Sequence, residues 1–182
     1  MIYLGLLLLL IFGFFIPIGF AFYGIFCIYV DFTGAPYVPT SGKIVAEILA
    51  EANLEKGQKW VELGSGDGRV TMMAVQKYGV KGLGIDLHIP LILYSRFIAE
   101  IKRIKNITFK IKNFNDIDLK DFDVIFMFLL PVTIEKMKPK FLRECKKGAL
   151  LISHGFQVKE FEKYLIHKQV RKLFPTYFYK LK

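Results

Sequence analysis

Glu62-Leu63-Gly64-Ser65-Gly66-Asp67-Gly68-Arg69 is the stretch on which the reading of this 182-residue chain turns. It follows a short apolar strand, Lys59-Trp60-Val61, and opens a helical stretch expected from about Asp67 to Lys77. Glycines at alternate positions let the backbone take conformations closed to a residue with a Cβ, and let a ligand come close to the main chain. A strand running through such a turn into a helix N-terminus leaves free N–H groups and the positive dipole end facing a crevice. That is a nucleotide-binding arrangement. The dinucleotide fingerprint would need a third glycine at position 69, where arginine stands.

Outward from this turn, strands and helices alternate. Upstream, Ser41 caps a helix with Ile44, Val45, Ile48, Leu49 and Ala52 on one face, ended by Asn53 and Gly57. Downstream, Gly82 to Ile85 is a second short strand closed by Asp86, and a helix is expected over Pro90 to Arg103 with Ile92, Leu93, Phe97 and Ile101 inward. Ile107 to Ile111 reads as a third strand. Asp123 to Leu129, almost wholly apolar, reads as a central fourth. An amphipathic helix over Glu135 to Lys147 buries Met137, Phe141 and Leu142, and Ala149 to Ser153 is a fifth strand. Tyr164 to Lys182 alternates as a hairpin would, with Pro175 between its arms. The pattern predicts an α/β fold, a Rossmann-like doubly wound sheet, mostly parallel with a reversed C-terminal edge strand.

The N-terminus is of another kind. Residues 2–30 contain no charged residue and no Ser, Thr, Asn or Gln, although the chain carries a formal charge of +10. As a helix the segment would reach roughly 43 Å against a hydrocarbon core of about 30 Å, enough for one span and too short for two. Surplus length can be absorbed by tilt or by a kink at Pro17. A cleavable signal peptide would want a basic n-region, a shorter apolar core and a small-residue cleavage site, and none is evident. Residues 1–30 are therefore expected to be a transmembrane anchor, 31–40 a linker and pre-motif loop, and 41–182 the cofactor-binding domain. Lys43, Lys56 and Lys59 follow the span and nothing basic precedes it, which places the C-terminal domain in the cytoplasm. Cys27 and Cys145 give neither zinc spacing nor a disulfide framework, and the three histidines show no metal spacing.

In a doubly wound sheet the ligand sits outside the carboxyl ends of the strands, and the acid closing the second strand reaches ribose hydroxyls. Asp86, 20 residues beyond Gly66, with Leu87 next to it, holds that position.

With its spacing Glu-x-Gly-x-Gly-x-Gly, the octapeptide resembles motif I of the class I S-adenosylmethionine-dependent methyltransferases. Two more stretches narrow the resemblance: Pro36-Tyr37-Val38-Pro39-Thr40 before the first helix, and Leu129-Leu130-Pro131 after the fourth strand. Together with the apolar N-terminus they resemble the small seven-β-strand protein-lysine methyltransferases related to the ATP synthase c-subunit lysine methyltransferase and to archaeal protein-lysine methyltransferases. The resemblance covers roughly Pro36 to the C-terminus.

It implies S-adenosylmethionine as cofactor, bound by Thr40, Glu62, Gly64, Ser65, Gly66, Asp67, Gly68, Asp86, Leu87, Asn113 and Phe114. Glu62 would meet the amino group of the methionine moiety. Asn113 stands where the class often has an acid on the adenine amino group. An amide oxygen can accept the same bond without charge, and Asp116 is a nearby competitor. Tyr37, Pro39, Leu130 and Pro131 would line the methyl-acceptor side. The acceptor loop lacks the Asn or Asp of Asn/Asp-Pro-Pro-Tyr, which weakens DNA-adenine and glutamine methylation. An apolar loop suits a neutral amine, because desolvation lowers a lysine's pKa.

Lys102, Arg103, Lys105, Lys110 and Lys112 form one basic stretch, and the C-terminal tail another. Attraction to anionic lipid accounts for both, and no RNA-binding motif is present, so nucleic acid is not the expected partner. The expected protein is a membrane-anchored methyltransferase acting on lysine side chains of a protein partner that is itself membrane-associated. The alternatives are a small-molecule or RNA methyltransferase, and a tethered cofactor- or partner-binding module without transfer activity.

Overall fold

The computed structural model describes Ile2–Thr33 and Tyr37–Leu181 and divides the chain into two compact units, Met1–Pro36 and Tyr37–Lys182. The first is a single helix, α1 (Ile2–Thr33), with Pro17 inside it. It runs through Asp31–Thr33, where a loop was expected. Gly34 and Pro36 of that loop lie outside the described residues. Within α1, Leu9–Ile28 is long and apolar enough to cross a membrane, and none of it is buried by protein.

The second unit is a seven-stranded sheet with the strand order β3-β2-β1-β4-β5-β7-β6. Its elements, in chain order, are α2 (Gly42–Glu51), β1 (Lys59–Leu63), α3 (Arg69–Tyr78), β2 (Lys81–Asp86), α4 (Ile89–Ile101), β3 (Ile107–Ile111), β4 (Val124–Met127), α5 (Pro131–Glu144), β5 (Leu150–His154), β6 (Leu165–Gln169) and β7 (Thr176–Lys180). Strands β1 to β5 are parallel where they pair. β7 is antiparallel to both β5 and β6. The reversed strand is therefore not at the edge. It is inserted one place in, and β6 closes the sheet outside it. The burial explains this order: Tyr177, Phe178 and Tyr179 are buried, whereas Ile166, His167 and Lys168 are exposed and suit an edge.

The central strands are apolar on both faces because helices cover both. Trp60 is fully buried and stacks on Phe126, with ring centroids 5.7 Å apart. α2 adds Val45, Ile48 and Leu49 to the same cluster, and α3 adds Val70, Ala74 and Val75. Ser41 caps α2 as expected, its Oγ accepting from the Ile44 N–H.

Two helices depart from the sequence pattern. α5 begins at Pro131 rather than near Glu135, with Leu130 as its N-cap; proline at the first helical position gives up an N–H that has no intrahelical partner anyway. Its buried residues are Ile134, Met137 and Phe141, while Leu142, expected inward, is exposed. In α4 the buried side is Ile92, Ser95 and Ala99, and Leu93, Phe97 and Ile101 point out. Small residues on α4's inner face let it lie close to the sheet and leave the large apolar side chains on the far side.

Candidate functional site

The glycine-rich turn leaves β1 at Leu63 and enters α3 at Arg69. Gly64, Gly66 and Gly68 have φ of 77°, 52° and 74°, the left-handed region that L side chains rarely adopt. Space is as restrictive as conformation. A Cβ on Gly68 would stand 2.5 Å from the Phe109 ring and 2.9 Å from Ser95 Oγ. One on Gly66 would stand 2.9 Å from the Tyr37 ring, which covers the turn. The exit of β4 closes on the other side, with Leu129 in side-chain contact range of Gly64.

An acid stands at the carboxyl end of each of β1 and β2, Glu62 next to last in the first and Asp86 last in the second. Asp86 closes β2 and clasps the turn: its Oδ2 accepts from the Gly66 N–H at 2.8 Å, and its Oδ1 from the His88 N–H at 2.8 Å. A carboxylate offers about four lone-pair sites, so acceptor capacity remains beyond these two bonds. Glu62 in β1 is buried. Its Oε2 accepts from Thr71 N at 3.0 Å and from Thr71 Oγ1 at 2.5 Å, and that hydroxyl in turn accepts from Trp60 Nε1 at 3.1 Å. Burial pushes the Glu62 carboxyl up to about 8, against the opposing pull of the two Thr71 bonds; Asp67 and Asp86 add smaller upward pushes. A buried acid that resists ionisation is a poised partner for a cation.

The segment before α2 is fastened to the turn through Arg69. Its guanidinium meets Asp67 through Nε, 2.9 Å from each carboxylate oxygen, and through a terminal nitrogen 2.6 Å from Oδ2, and donates to the Thr40 carbonyl at 3.1 Å and to Tyr37 Oη at 3.3 Å. Arg69 and Asp67 are thus engaged with the protein, and Tyr37-Val38-Pro39 is held, exposed, beside the turn. Arg69→Ala should lower stability by only about 1 kcal/mol, because the pair is partly solvated, which for a domain of this size is about 2–4 °C in Tm. The same change should speed proteolytic cleavage within residues 37–40 several-fold. Tm and limited proteolysis read the two effects separately.

Leu130 is half-buried, Pro131 is exposed, and both stand at the carboxyl end of β4. Asn113 is elsewhere engaged: its Oδ1 accepts from the Asn115 N–H at 2.9 Å and caps a short 3-10 turn over Phe114–Asp116. Phe114 is half-buried and Asp116 exposed. Leu87 is half-buried after Asp86, and Ser65 is buried with its Oγ unpartnered.

Thr71, Ser95 and Phe109 were not anticipated. Ser95 Oγ lies 2.8 Å from the Leu91 carbonyl of its own helix and 3.2 Å from the Gly66 carbonyl, its one proton serving either, and Phe109 fills the space beneath Gly68 and Gly84. Among the described residues no cluster of His, Cys, Asp or Glu is placed to hold a metal ion. His154 is buried beside Phe128 and Phe174, with Nδ1 2.9 Å from Thr176 Oγ1; burial, aided by Arg171, lowers it to about 4, so it stays neutral.

The strand order, the inserted antiparallel β7 and a glycine turn flanked by acids near the carboxyl ends of β1 and β2 define a class I S-adenosylmethionine-dependent methyltransferase. The match to the ANTKMT methyltransferase domain over residues 62–164 makes the family plain: the chain belongs to it. A protein-lysine N-methyltransferase of Saccharolobus islandicus (strain REY15A) is 32% identical over 126 residues, covering 68% of this chain and 78% of that protein. The human ATP synthase c-subunit lysine N-methyltransferase is 26% identical over 122 residues; the match covers 66% of this chain and 52% of that protein. The chain thus spans about half the length of that relative.

Among solved structures, an RNA methyltransferase from Salinibacter ruber in complex with S-adenosyl-L-homocysteine superposes with a TM-score of 0.74 at 23% identity, covering 79% of this chain and 94% of that one. A SAM-dependent O-methyltransferase from Thermotoga maritima gives 0.66 at 12% identity, covering 86% and 71%. At these identities the likeness is one of fold. The cofactor is S-adenosylmethionine, and the residues fit it: a turn with no room for side chains, an unpartnered buried hydroxyl on Ser65, and a buried acid suited to an ammonium.

Proposed function

We propose that this protein is a membrane-anchored protein-lysine N-methyltransferase. The observation that carries the reading is the fastening of Tyr37-Val38-Pro39-Thr40 to the glycine-rich turn through Arg69, with Leu129 at the apolar exit of β4 against the same turn. The uncharged side chains of that segment, held beside the turn, would suit the approach of a methyl acceptor. The lysine-methylating relatives support the same choice of acceptor.

S-adenosylmethionine supplies an electrophilic methyl group on a sulfonium, and displacement from it is governed by positioning more than by a protein nucleophile. The residues of this chain bind, orient and dry. Glu62 would face the ammonium of the methionine moiety, and Asp86 the ribose hydroxyls. Gly64, Ser65, Gly66, Asp67 and Gly68 would form the cradle, with Thr40 above it and Leu87, Asn113 and Phe114 on the adenine side. Tyr37, Pro39, Leu130 and Pro131 would border the acceptor lysine. Free lysine, with a pKa near 10.4, is almost wholly protonated at neutral pH. An apolar border disfavours that charge and delivers the neutral amine.

Residues 1–30 would be the anchor, 31–40 the connection and pre-motif segment, and 41–182 the catalytic domain on the cytoplasmic side. The length and apolarity of α1 and the lysines after it support this arrangement.

The test is methyl transfer by the full chain, with cofactor labelled on its methyl group, into membrane protein, lipid and RNA fractions from the same cells. Label should enter protein and be recovered as methyl-lysine after acid hydrolysis. Label in RNA or lipid alone, or saturable cofactor binding with no transfer, would overturn the lysine reading. Alkaline carbonate extraction checks the anchor: the full chain should stay in the membrane pellet. Release into the supernatant, or an N-terminus shortened by processing, would refute it.

A further inference from the structure

The outward side of α4 is apolar. Ile89, Leu93, Phe97 and Ile101 follow one another at four-residue spacing with Tyr94 beside them, and all five are between 44% and 60% exposed. At about 100° per residue they occupy a single sector of the helix surface, roughly 140° wide, with Glu100 at its C-terminal end the one charged side chain inside it. A contiguous apolar strip of this length is uncommon on a soluble monomer and marks an interaction surface.

The surroundings of the strip are predominantly basic. Over residues 87–112 the basic side chains are Arg96, Lys102, Arg103, Lys105, Lys110 and Lys112, against Glu100 as the single acid. Along the β3 edge lies an open concavity of about 780 Å³, whose wall includes Arg96, Arg103, Lys105 and Lys110 against the single acid Glu100, beside the apolar Ile104 and Ile107. Arg96 Nε donates to the Phe109 carbonyl at 2.9 Å, which fixes that guanidinium at the concavity.

We propose that α4 and the adjoining basic concavity form a surface that docks onto an anionic bilayer, the apolar strip entering the interface and the basic rim receiving lipid phosphates. An apolar face bordered by lysine and arginine is the chemistry of interfacial helices. A second copy of this chain would bring the same positive rim and be repelled. Nucleic acid would engage the rim and leave Leu93 and Ile101 without a partner. The proposal does not depend on catalysis. It adds to the α1 anchor a second contact, which would hold the domain in one orientation instead of leaving it to rotate about its tether. Two linked weak contacts act at high effective concentration, so an exposed strip of this size suffices.

The test uses the full chain assembled into lipid nanodiscs, of phosphatidylcholine alone or with phosphatidylserine, with and without brominated acyl chains. The lone tryptophan, Trp60, is fully buried and serves as the internal reference. In brominated anionic discs the additional emission of Phe97→Trp should fall by about half or more, as expected for an indole in the acyl boundary, while the parent changes little. The fall should be smaller in phosphatidylcholine and in the triple variant Lys102→Glu, Arg103→Glu, Lys105→Glu. Leu93→Trp is the second reporter, and S-adenosylmethionine binding on each sample shows that the fold is intact.

Equal behaviour of parent and both reporters in brominated anionic discs overturns the proposal. So does a concentration-dependent dimer abolished by Leu93→Ser with Phe97→Ser, which would give the strip to a second copy. Co-elution of protein with the discs reports on α1 and quenching reports on α4, so the two failures are distinguishable. Absence of co-elution even with anionic lipid would refute both.

Discussion

Asp86→Ala is expected to weaken S-adenosylmethionine binding by about 100-fold or more while leaving the domain folded. Two effects act together. The proposed hydrogen bonds from two ribose hydroxyls to a carboxylate are charge-assisted and worth about 1.5–3 kcal/mol each; their joint loss alone reaches that factor. In addition, Asp86 holds the Gly66 and His88 N–H groups at 2.8 Å, so its removal frees the turn that must cradle the cofactor. Losing the clasp should cost about 1–3 kcal/mol of stability, too little to unfold a domain with a core of this extent. Asp86→Asn can keep one accepted bond but turns an NH2 toward the other N–H, and should fall between parent and alanine. Isothermal titration of the full chain in detergent, with Tm measured beside it, separates the contributions. A Tm loss with affinity within threefold of the parent would make Asp86 a clasp of the turn and nothing more.

The visibility of this site in the sequence has a physical basis. Glycine spacing, a strand ending in an acid and a second acid 20 residues on are local signals, because the turn that binds and the strands that flank it are contiguous in the chain. The alternation of strand and helix likewise follows from burial of the central strands on both faces, which leaves β4 as an uninterrupted apolar run. The antiparallel C-terminal hairpin was legible from the alternation of residues 164–182, although its reversed strand lies one place in from the edge.

What was not legible depends on contacts between distant segments. Thr71 receives no mark as the partner of Glu62, since helix packing alone brings its hydroxyl to the carboxylate and to Trp60. Phe109 lies on the third strand, and only the stacking of β3 beside β2 puts its ring beneath Gly68 and Gly84. The insertion of β7 between β5 and β6 leaves no local trace either, because both strands alternate and only their relative burial distinguishes them. α4 misled for an instructive reason. Its apolar residues at helical spacing predict a buried stripe, but the rule assumes that the larger apolar face turns toward protein. Ser95 and Ala99, which break the apolar pattern, are the residues that touch the sheet, and the larger side chains are left facing out.

Glu62 should give this protein a pH dependence that a solvated acid could not. Its carboxyl is raised in the fold from near 4.5 to about 8, chiefly by burial. The folded state therefore holds a proton that the unfolded state has released across that interval, and stability must fall as pH rises through it. Without cofactor, the stabilising contribution is complete below the unfolded value and is lost by about pH 8. Cofactor binding reverses the preference. An ammonium beside Glu62 favours the carboxylate, so binding expels the proton and affinity should increase with pH, by up to about tenfold per unit. The rise should end as the cofactor's own amino group begins to deprotonate, near pH 8. Glu62→Gln can still accept from Thr71 and has nearly the same shape, but it cannot ionise. The variant should show a flat affinity between pH 6 and about 7.5 and bind at least about tenfold more weakly at the upper end, the cost of one charge-assisted contact. Its unfolding midpoint in denaturant should also vary less with pH than the parent's. If both proteins show the same slope of affinity against pH, the titrating group is not Glu62, and the ammonium must be held elsewhere in the turn.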